Sequence, residues 1–207
     1  INGDVNVSTN NADPLVTPVS GQDSSLTVRD GATFAADNIY VNEDGLLTGG
    51  DGFIVGDVHL DGGTIAPGNS PGTMNIDGDL FLNDGILDLE IEEGARDLFV
   101  VTGDVTLGED LMINLIFGYD PMEELFDLSD FFDAENLFSD FNSETNLMVN
   151  GLGGDAFLTI VGFGGEQIQI GEPGTGEPPA IPAPLSLILF GTGLAGLGLA
   201  WRRRRFV

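Results

Sequence analysis

Short alternations of apolar and polar residues recur along the first half of this chain. The pattern Gly-Asp-apolar-x-apolar occurs at residues 3–7, 56–60, 78–82 and 103–107, and looser copies lie at 25–28 and 38–41. Alternation with a period of two places both apolar side chains of a copy on one face of a β-strand. Turn-and-strand units that return at intervals of about 20 residues are typical of stacked coils. The first apolar residues of the copies are Val5, Leu26, Ile39, Val58, Leu80 and Val105.

Most copies are followed by a second turn and a second short strand. Within 83–91 the alternation places Leu87, Leu89 and Ile91 on one face, and 108–116 repeats this with Leu111, Ile113 and Leu115. One coil cannot bury its apolar face alone, whereas stacked coils form a continuous narrow core with the charges outside. We therefore predict an all-β fold, a short right-handed parallel β-solenoid over residues 1–118. The uneven spacing leaves an antiparallel β-sandwich as the alternative.

The pattern changes after Phe117, and this change predicts the remaining boundaries. Residues 119–146 are acidic and rich in Phe, and we interpret them as an insertion or a cap over the end of the solenoid, because exposed strand edges invite pairing with another chain. Residues 147–170 return to β-forming composition and predict the final strands. Gly and Pro dominate 171–180, which predicts an extended linker, and 181–207 form a distinct C-terminal segment.

The C-terminal segment carries the features of a membrane anchor. No charged residue lies between Ile181 and Trp201, a stretch that matches the about 20 residues needed to span a bilayer. Its glycines are tolerated better in lipid than in water. Positive flanks stay on the cytoplasmic side, so we predict a transmembrane helix from Leu185 to Ala200 with the body outside. The predicted cytoplasmic anchor is Arg202, Arg203, Arg204 and Arg205, and the alternative is a buried core helix.

Charge and composition exclude several classes of function. The chain has 34 acidic and six basic residues, a net charge of −28, and four of the six basic residues lie in the terminal cluster. Binding of nucleic acid needs Lys and Arg along the binding surface, so the acidic body argues against it. The absence of Cys excludes disulfides, thiol catalysis and zinc sites built from Cys.

The order of Pro motif, apolar helix and Arg cluster resembles the PEP-CTERM sorting signal. Ile181, Pro182, Ala183 and Pro184 match its Val-Pro-Glu-Pro motif, with Ala183 where Glu is usual. The resemblance covers the last 27 residues and implies export by a Gram-negative bacterium that makes exopolysaccharide. It implies recognition by an exosortase, a membrane protease, while the chain spans the inner membrane, followed by transfer to the cell surface or extracellular matrix.

A second resemblance lies in the body of the chain. The run Gly-Thr-Ile-Ala-Pro-Gly-Asn-Ser-Pro-Gly-Thr at 63–73 is similar to a segment of autotransporter passenger domains and of many PEP-CTERM proteins. This likeness extends over about residues 24–118 and implies a turn between the coils of a β-helix. Pro67 and Pro71 cannot donate to a sheet ladder, so the residues alone also predict a loop at 66–72.

The residues present no recognisable catalytic or metal-binding constellation. His59 is the only histidine, and without Cys or a serine motif it forms no nucleophilic triad, so we interpret it as a surface residue. No cofactor is predicted, and any Ca²⁺ binding is expected to be weak, with no ligand residues assigned. We predict a non-enzymatic, exported structural or adhesive protein whose partner is extracellular polysaccharide. The alternatives are a polysaccharide-acting enzyme on a β-helix scaffold and a permanently anchored membrane protein.

Overall fold

The computed structural model describes residues 5–7, 24–68, 71–121, 125–152 and 157–171. These residues form an all-β structure dominated by one curled parallel sheet, and their only helical turn is a 3-10 helix at Leu128–Phe131. The strands are β1 (Val5–Val7), β2 (Ser24–Thr27), β3 (Thr33–Asn42), β4 (Gly45–Thr48), β5 (Gly52–Ala66), β6 (Thr73–Asp77), β7 (Leu80–Glu92), β8 (Ala95–Arg96), β9 (Leu98–Val101), β10 (Asp104–Phe117), β11 (Leu125–Asp127), β12 (Phe132–Asp133), β13 (Asn136–Ser139), β14 (Leu147–Asn150), β15 (Phe157–Val161) and β16 (Gln167–Gly171).

The main sheet consists of three parallel ladders. Ladder 1 joins β1, β3, β5, β7, β10 and β13. Ladder 2 joins β2, β4, β5, β7, β10 and β14, and ladder 3 joins β3, β5, β6, β9 and β12. The long strands bend at register shifts, so β5 contributes to all three ladders. The prediction of a parallel sheet is confirmed for these residues, and the antiparallel sandwich is excluded as their architecture.

The core is built from columns of inward side chains, one from each strand of a ladder. In ladder 1 Ile39, Val58, Leu80 and Val105 occupy successive registers and are fully buried. The predicted inward faces of the second strands are also confirmed, because their six members are at most 1% exposed. These six are Leu87, Leu89, Ile91, Leu111, Ile113 and Leu115.

One member of the predicted repeat series belongs elsewhere. Leu26 pairs with Leu47 in ladder 2, whereas Val5 pairs with Ile39 in ladder 1. The two segments share the same alternation, and the alternation specifies which face is buried without specifying which ladder a strand joins. The other copies of the series all belong to ladder 1. Their first apolar residues are Val5, Ile39, Val58, Leu80 and Val105.

The repeated Gly-Asp pair has a structural role at the corner before ladder 1. The Asp57 carboxylate accepts a hydrogen bond from the backbone N–H of Asp79 at 2.9 Å, and the Asp79 carboxylate accepts one from the N–H of Asp104 at 2.9 Å. A Cβ at Gly103 would overlap the Asp79 carboxylate. The Asp at the corner before one strand therefore occupies the space that the Gly before the next strand of ladder 1 leaves free, which explains why the two residues recur together.

The described residues between 119 and 152 continue the main sheet beyond β9 and β10. Strands β13 and β14 extend ladders 1 and 2 beyond β10, and β12 extends ladder 3 beyond β9. A second sheet of β11, β15 and β16 adds Phe126, Leu158 and Ile160 to the same buried cluster. The segment predicted as an insertion or cap thus supplies strands of the main sheet, and the region predicted as final strands contains three.

The predicted C-terminal signal lies outside the described residues. All described residues belong to the unit at 1–172, and the second unit comprises 173–207. Ile181 to Pro184, the predicted helix from Leu185 to Ala200 and Arg202 to Arg205 all fall in that second unit. Within the described ranges, no helix has the length and apolar character needed to cross a bilayer.

Candidate functional site

The outward surface of ladder 1 carries three parallel columns of side chains. Its central column is formed by the residues that alternate with the buried ones, so each points away from the core. The members of the central column, in register order, are Tyr40, His59, Phe81, Thr106 and Phe138. Because these aromatic side chains lie in register and face outward, a ligand can contact them on several neighbouring strands at once.

Three aromatic rings of the central column are stacked face to face. The ring centroids of Tyr40 and His59 lie 4.7 Å apart, and those of His59 and Phe81 also lie 4.7 Å apart. Their interplanar angles are 17° and 9°, so the rings present their edges to the exterior. Phe138 lies beyond Thr106 in the same column and is 54% exposed. This surface therefore combines a rigid aromatic strip with one accessible phenyl ring.

Polar columns lie on both sides of the aromatic strip. The first flank contains Asn38, Asp57, Asp79, Asp104 and Asn136. Within this flank Asn136 donates to the Asp104 carboxylate at 2.7 Å, and the Asn38 side-chain oxygen lies 3.3 Å from Nε2 of His59 in the central column. On the second flank Asn83 donates to Asp61 at 3.1 Å. Fixed hydrogen-bonding groups beside aromatic carbon are suited to polyhydroxylated ligands.

The buried carboxylate of Asp97 connects the predicted loop to β7. Asp97 is 1% exposed, and its two oxygens accept hydrogen bonds from the N–H of Gly72 at 2.6 Å and of Glu90 at 2.8 Å. Burial raises the pKa of Asp97 to about 6, against the opposing effect of the two hydrogen bonds. Gly72 ends the loop that was predicted at 66–72, whose described residues are outside any strand from Pro67 onward. Asp97 therefore has a structural role in holding that loop.

Two clefts are lined by residues of the second sheet and its β15–β16 connection together with residues of the main sheet and its connections. One has a volume of about 340 Å³ and is lined by Glu92, Gly94, Ala95, Arg96, Tyr119 and Phe126. The other has a volume of about 410 Å³ and is lined by Leu137, Ser139, Asp140, Phe141, Phe163, Gly164 and Glu166. Volumes of this size are at the low end of the roughly 300–1,000 Å³ typical of small-ligand sites.

The structure changes the interpretation of one residue and adds several that the sequence reasoning missed. His59 faces outward as predicted, but it lies between two aromatic rings rather than alone on a solvated surface. The signal for this stack was present in the repeat itself, since Tyr40, His59 and Phe81 hold the same position in aligned copies. No repeated position in the sequence marked Asp97 or Arg96 in this way. Among the described side chains, no group of three or more is arranged to hold a metal ion.

Comparison with known proteins supplies no homologous site. No protein-family model, no curated protein and no solved structure matches this chain.

Proposed function

We propose that this chain is an exported, non-enzymatic surface protein that acts structurally or adhesively in an exopolysaccharide matrix. In this proposal the body is a short β-solenoid rod, and the C-terminal segment targets it through the inner membrane for sorting by an exosortase-type protease. Polysaccharide is the expected partner of the outward face of ladder 1.

The solenoid is supported by the order in which the chain visits the ladders. Successive segments 33–35, 38–42 and 45–48 belong to ladders 3, 1 and 2, and the segments of β5 repeat that order. The order of ladders 3, 1 and 2 recurs in β6 and β7, in β9 and β10, and in β12, β13 and β14. A chain that passes three ladders in a constant order forms coils. The right-handed sense remains a prediction.

The single observation that carries the adhesive role is the register of the outward columns. The central column carries an aromatic ring at four of its five positions and its flanks carry carboxylate or amide groups, at the spacing of about 4.8 Å between neighbouring strands. A polymer with repeated hydroxyl and C–H surfaces can contact such a face at several coils together. Repetition of weak contacts raises the total binding strength without any deep pocket.

Phe138 provides a direct test of this face. We expect Phe138→Ser to weaken binding of the full chain to extracted exopolysaccharide about tenfold, because removal of an exposed phenyl contact worth about 1.4 kcal/mol changes an equilibrium by that factor. Co-sedimentation with the polymer over a range of protein concentrations measures the effect. The matched control is Phe53→Ser, since Phe53 is 50% exposed and lies in ladder 3. Equal binding by the two variants contradicts the assignment of the adhesive face to ladder 1.

The sorting proposal is tested through the terminal arginines. We expect simultaneous Arg→Ser replacement at 202, 203, 204 and 205 to cause accumulation of unprocessed chain and loss of surface protein, because the cluster would no longer hold the C-terminus in the cytoplasm. Fractionation with mass measurement of the mature C-terminus checks both effects. Arg29→Ser is the control for loss of positive charge. A mature wild-type chain that retains residues 201–205 contradicts cleavage and supports permanent anchoring.

A further inference from the structure

The larger of the two clefts lies between the β15–β16 connection and the segment that follows β13. Two side-chain contacts join these parts of the chain. The Phe163 ring packs against the Phe141 ring with their centroids 5.9 Å apart, and the Ser143 hydroxyl donates to the Glu166 carboxylate at 2.9 Å. Phe163 and Glu166 therefore face the same segment, and both line the cleft of about 410 Å³. We propose that this cleft binds the trimethylammonium group of a small molecule of net positive charge.

Aromatic rings contribute much of the cleft lining. The ring planes of Phe141 and Phe163 are inclined at 87° to each other, and the Phe132 ring lies 6.0 Å from that of Phe163. Phe141 is 9% exposed, whereas Phe163 is half-buried and keeps part of its ring accessible. The face of an aromatic ring attracts a cation within about 6 Å of its centroid. The packed rings can therefore hold a cation against aromatic carbon.

The carboxylate of the cleft is ionised and held in place. Hydrogen bonds from the backbone N–H of Glu166 itself and from the Ser143 hydroxyl hold the pKa of Glu166 below its ordinary value. Its two oxygens lie against Gly162 and Gly164, where a Cβ would overlap them. The negative charge of Glu166 is therefore fixed beside the connection that carries Phe163.

These groups favour a quaternary ammonium over a primary one. A primary ammonium has three N–H donors, each of which needs an acceptor when water is removed. Phenyl rings supply no such acceptors, and the Glu166 oxygens already accept hydrogen bonds from Ser143 and the backbone. A trimethylammonium group has no N–H donor, so it can contact the rings without an unsatisfied donor and still be attracted by the carboxylate.

Charge distinguishes among the compounds that carry a trimethylammonium group. The described residues that line the cleft include two acids, Asp140 and Glu166, and no base, within a chain of net charge −28. The carboxylate of glycine betaine and the phosphate of a phosphatidylcholine headgroup would meet repulsion from these acids. Choline carries no anionic group and meets none. The cleft therefore favours a free cationic compound over a zwitterion or a lipid headgroup.

NMR titration of the full chain with choline tests the inference. We expect choline to bind with a Kd of about 1 mM, and its uncharged isostere 3,3-dimethyl-1-butanol to bind at least about tenfold more weakly. Glycine betaine and a soluble short-chain phosphatidylcholine are also expected to bind at least about tenfold more weakly than choline. These two probes distinguish the possible sources of the trimethylammonium group.

Glu166→Gln tests the carboxylate with little change in side-chain size. It is expected to weaken choline binding at least about tenfold, and an unchanged circular dichroism spectrum establishes that the variant is folded. Glu93→Gln is the matched control, because Glu93 is an exposed glutamate between β7 and β8 and its replacement changes the net charge of the chain equally. The choline Kd of this control is expected to equal that of the wild type.

Phe163→Leu separates the aromatic contact from simple packing, because leucine keeps apolar surface and lacks an aromatic ring. We expect it to weaken choline binding at least about threefold and binding of the uncharged isostere less than about twofold. Equal weakening of both ligands by Phe163→Leu would overturn the site. So would no choline binding up to about 20 mM, equal wild-type affinity for the isostere, tighter binding of betaine or the lipid, or equal effects of Glu166→Gln and Glu93→Gln.

Discussion

Replacement of Leu87 by alanine is expected to lower the free energy of unfolding by about 3 kcal/mol. Leu87 is fully buried in ladder 2, between Ile65 of β5 and Ile113 of β10. Truncation of a buried leucine removes its transfer free energy and leaves a cavity, and the two effects together cost about 2–5 kcal/mol. Because β7 is paired with β5 on one side and β10 on the other, we expect the surrounding structure to collapse little into the cavity. Urea unfolding monitored by circular dichroism measures the loss.

Ile86→Ala is the matched control for this prediction. Ile86 is the preceding residue on the same strand, is 37% exposed and faces outward. Its truncation should cost less than about 1 kcal/mol, because little apolar surface leaves the interior and no closed cavity forms. A larger loss for Ile86→Ala than for Leu87→Ala would contradict the inward and outward assignment of this strand.

The inward and outward faces of the strands could be predicted from the sequence because they depend on the local alternation of apolar and polar residues. In Leu87, Leu89 and Ile91 the period of two is uninterrupted, and the structure buries all three. Which strand pairs with which is a non-local property that alternation does not encode. This explains why Leu26 was placed in the series of Val5 although its strand belongs to another ladder.

The candidate site was less predictable than the fold. The aromatic stack depends on register, since Tyr40, His59 and Phe81 touch only when the strands of ladder 1 align residue by residue. The smaller cleft lies beside a hairpin and an ion pair whose members, Arg96 and Asp130, are 34 positions apart in the sequence. No local pattern marks such a group. By contrast, the predicted anchor is a local pattern of composition at 185–205, outside the described residues.

A second large effect is expected at Asp97. Asp97→Ala should lower the free energy of unfolding at pH 7 by about 2–4 kcal/mol, because the buried N–H groups of Gly72 and Glu90 would lose their acceptors and each unsatisfied donor costs about 1–3 kcal/mol. Ionisation of Asp97 in its buried position offsets part of that loss. Urea unfolding at pH 7 measures it, and Asp37→Ala, at an exposed aspartate, is the control.

The pH dependence separates the charge of Asp97 from its hydrogen bonds. The pKa of Asp97 is about 6 in the folded chain and 3.8 in the unfolded chain. Between pH 3.8 and about pH 6 the folded chain therefore binds more protons than the unfolded chain. The contribution of Asp97 to stability is therefore full below about pH 4 and is lost as the pH rises through about 6, by about 1–3 kcal/mol. The isosteric Asp97→Asn variant lacks this component, whereas relief of general acidic repulsion affects both chains alike. We therefore expect acidification from pH 7 to pH 5 to stabilise the wild type more than Asp97→Asn, and equal gains would show that the buried carboxyl does not titrate in this range.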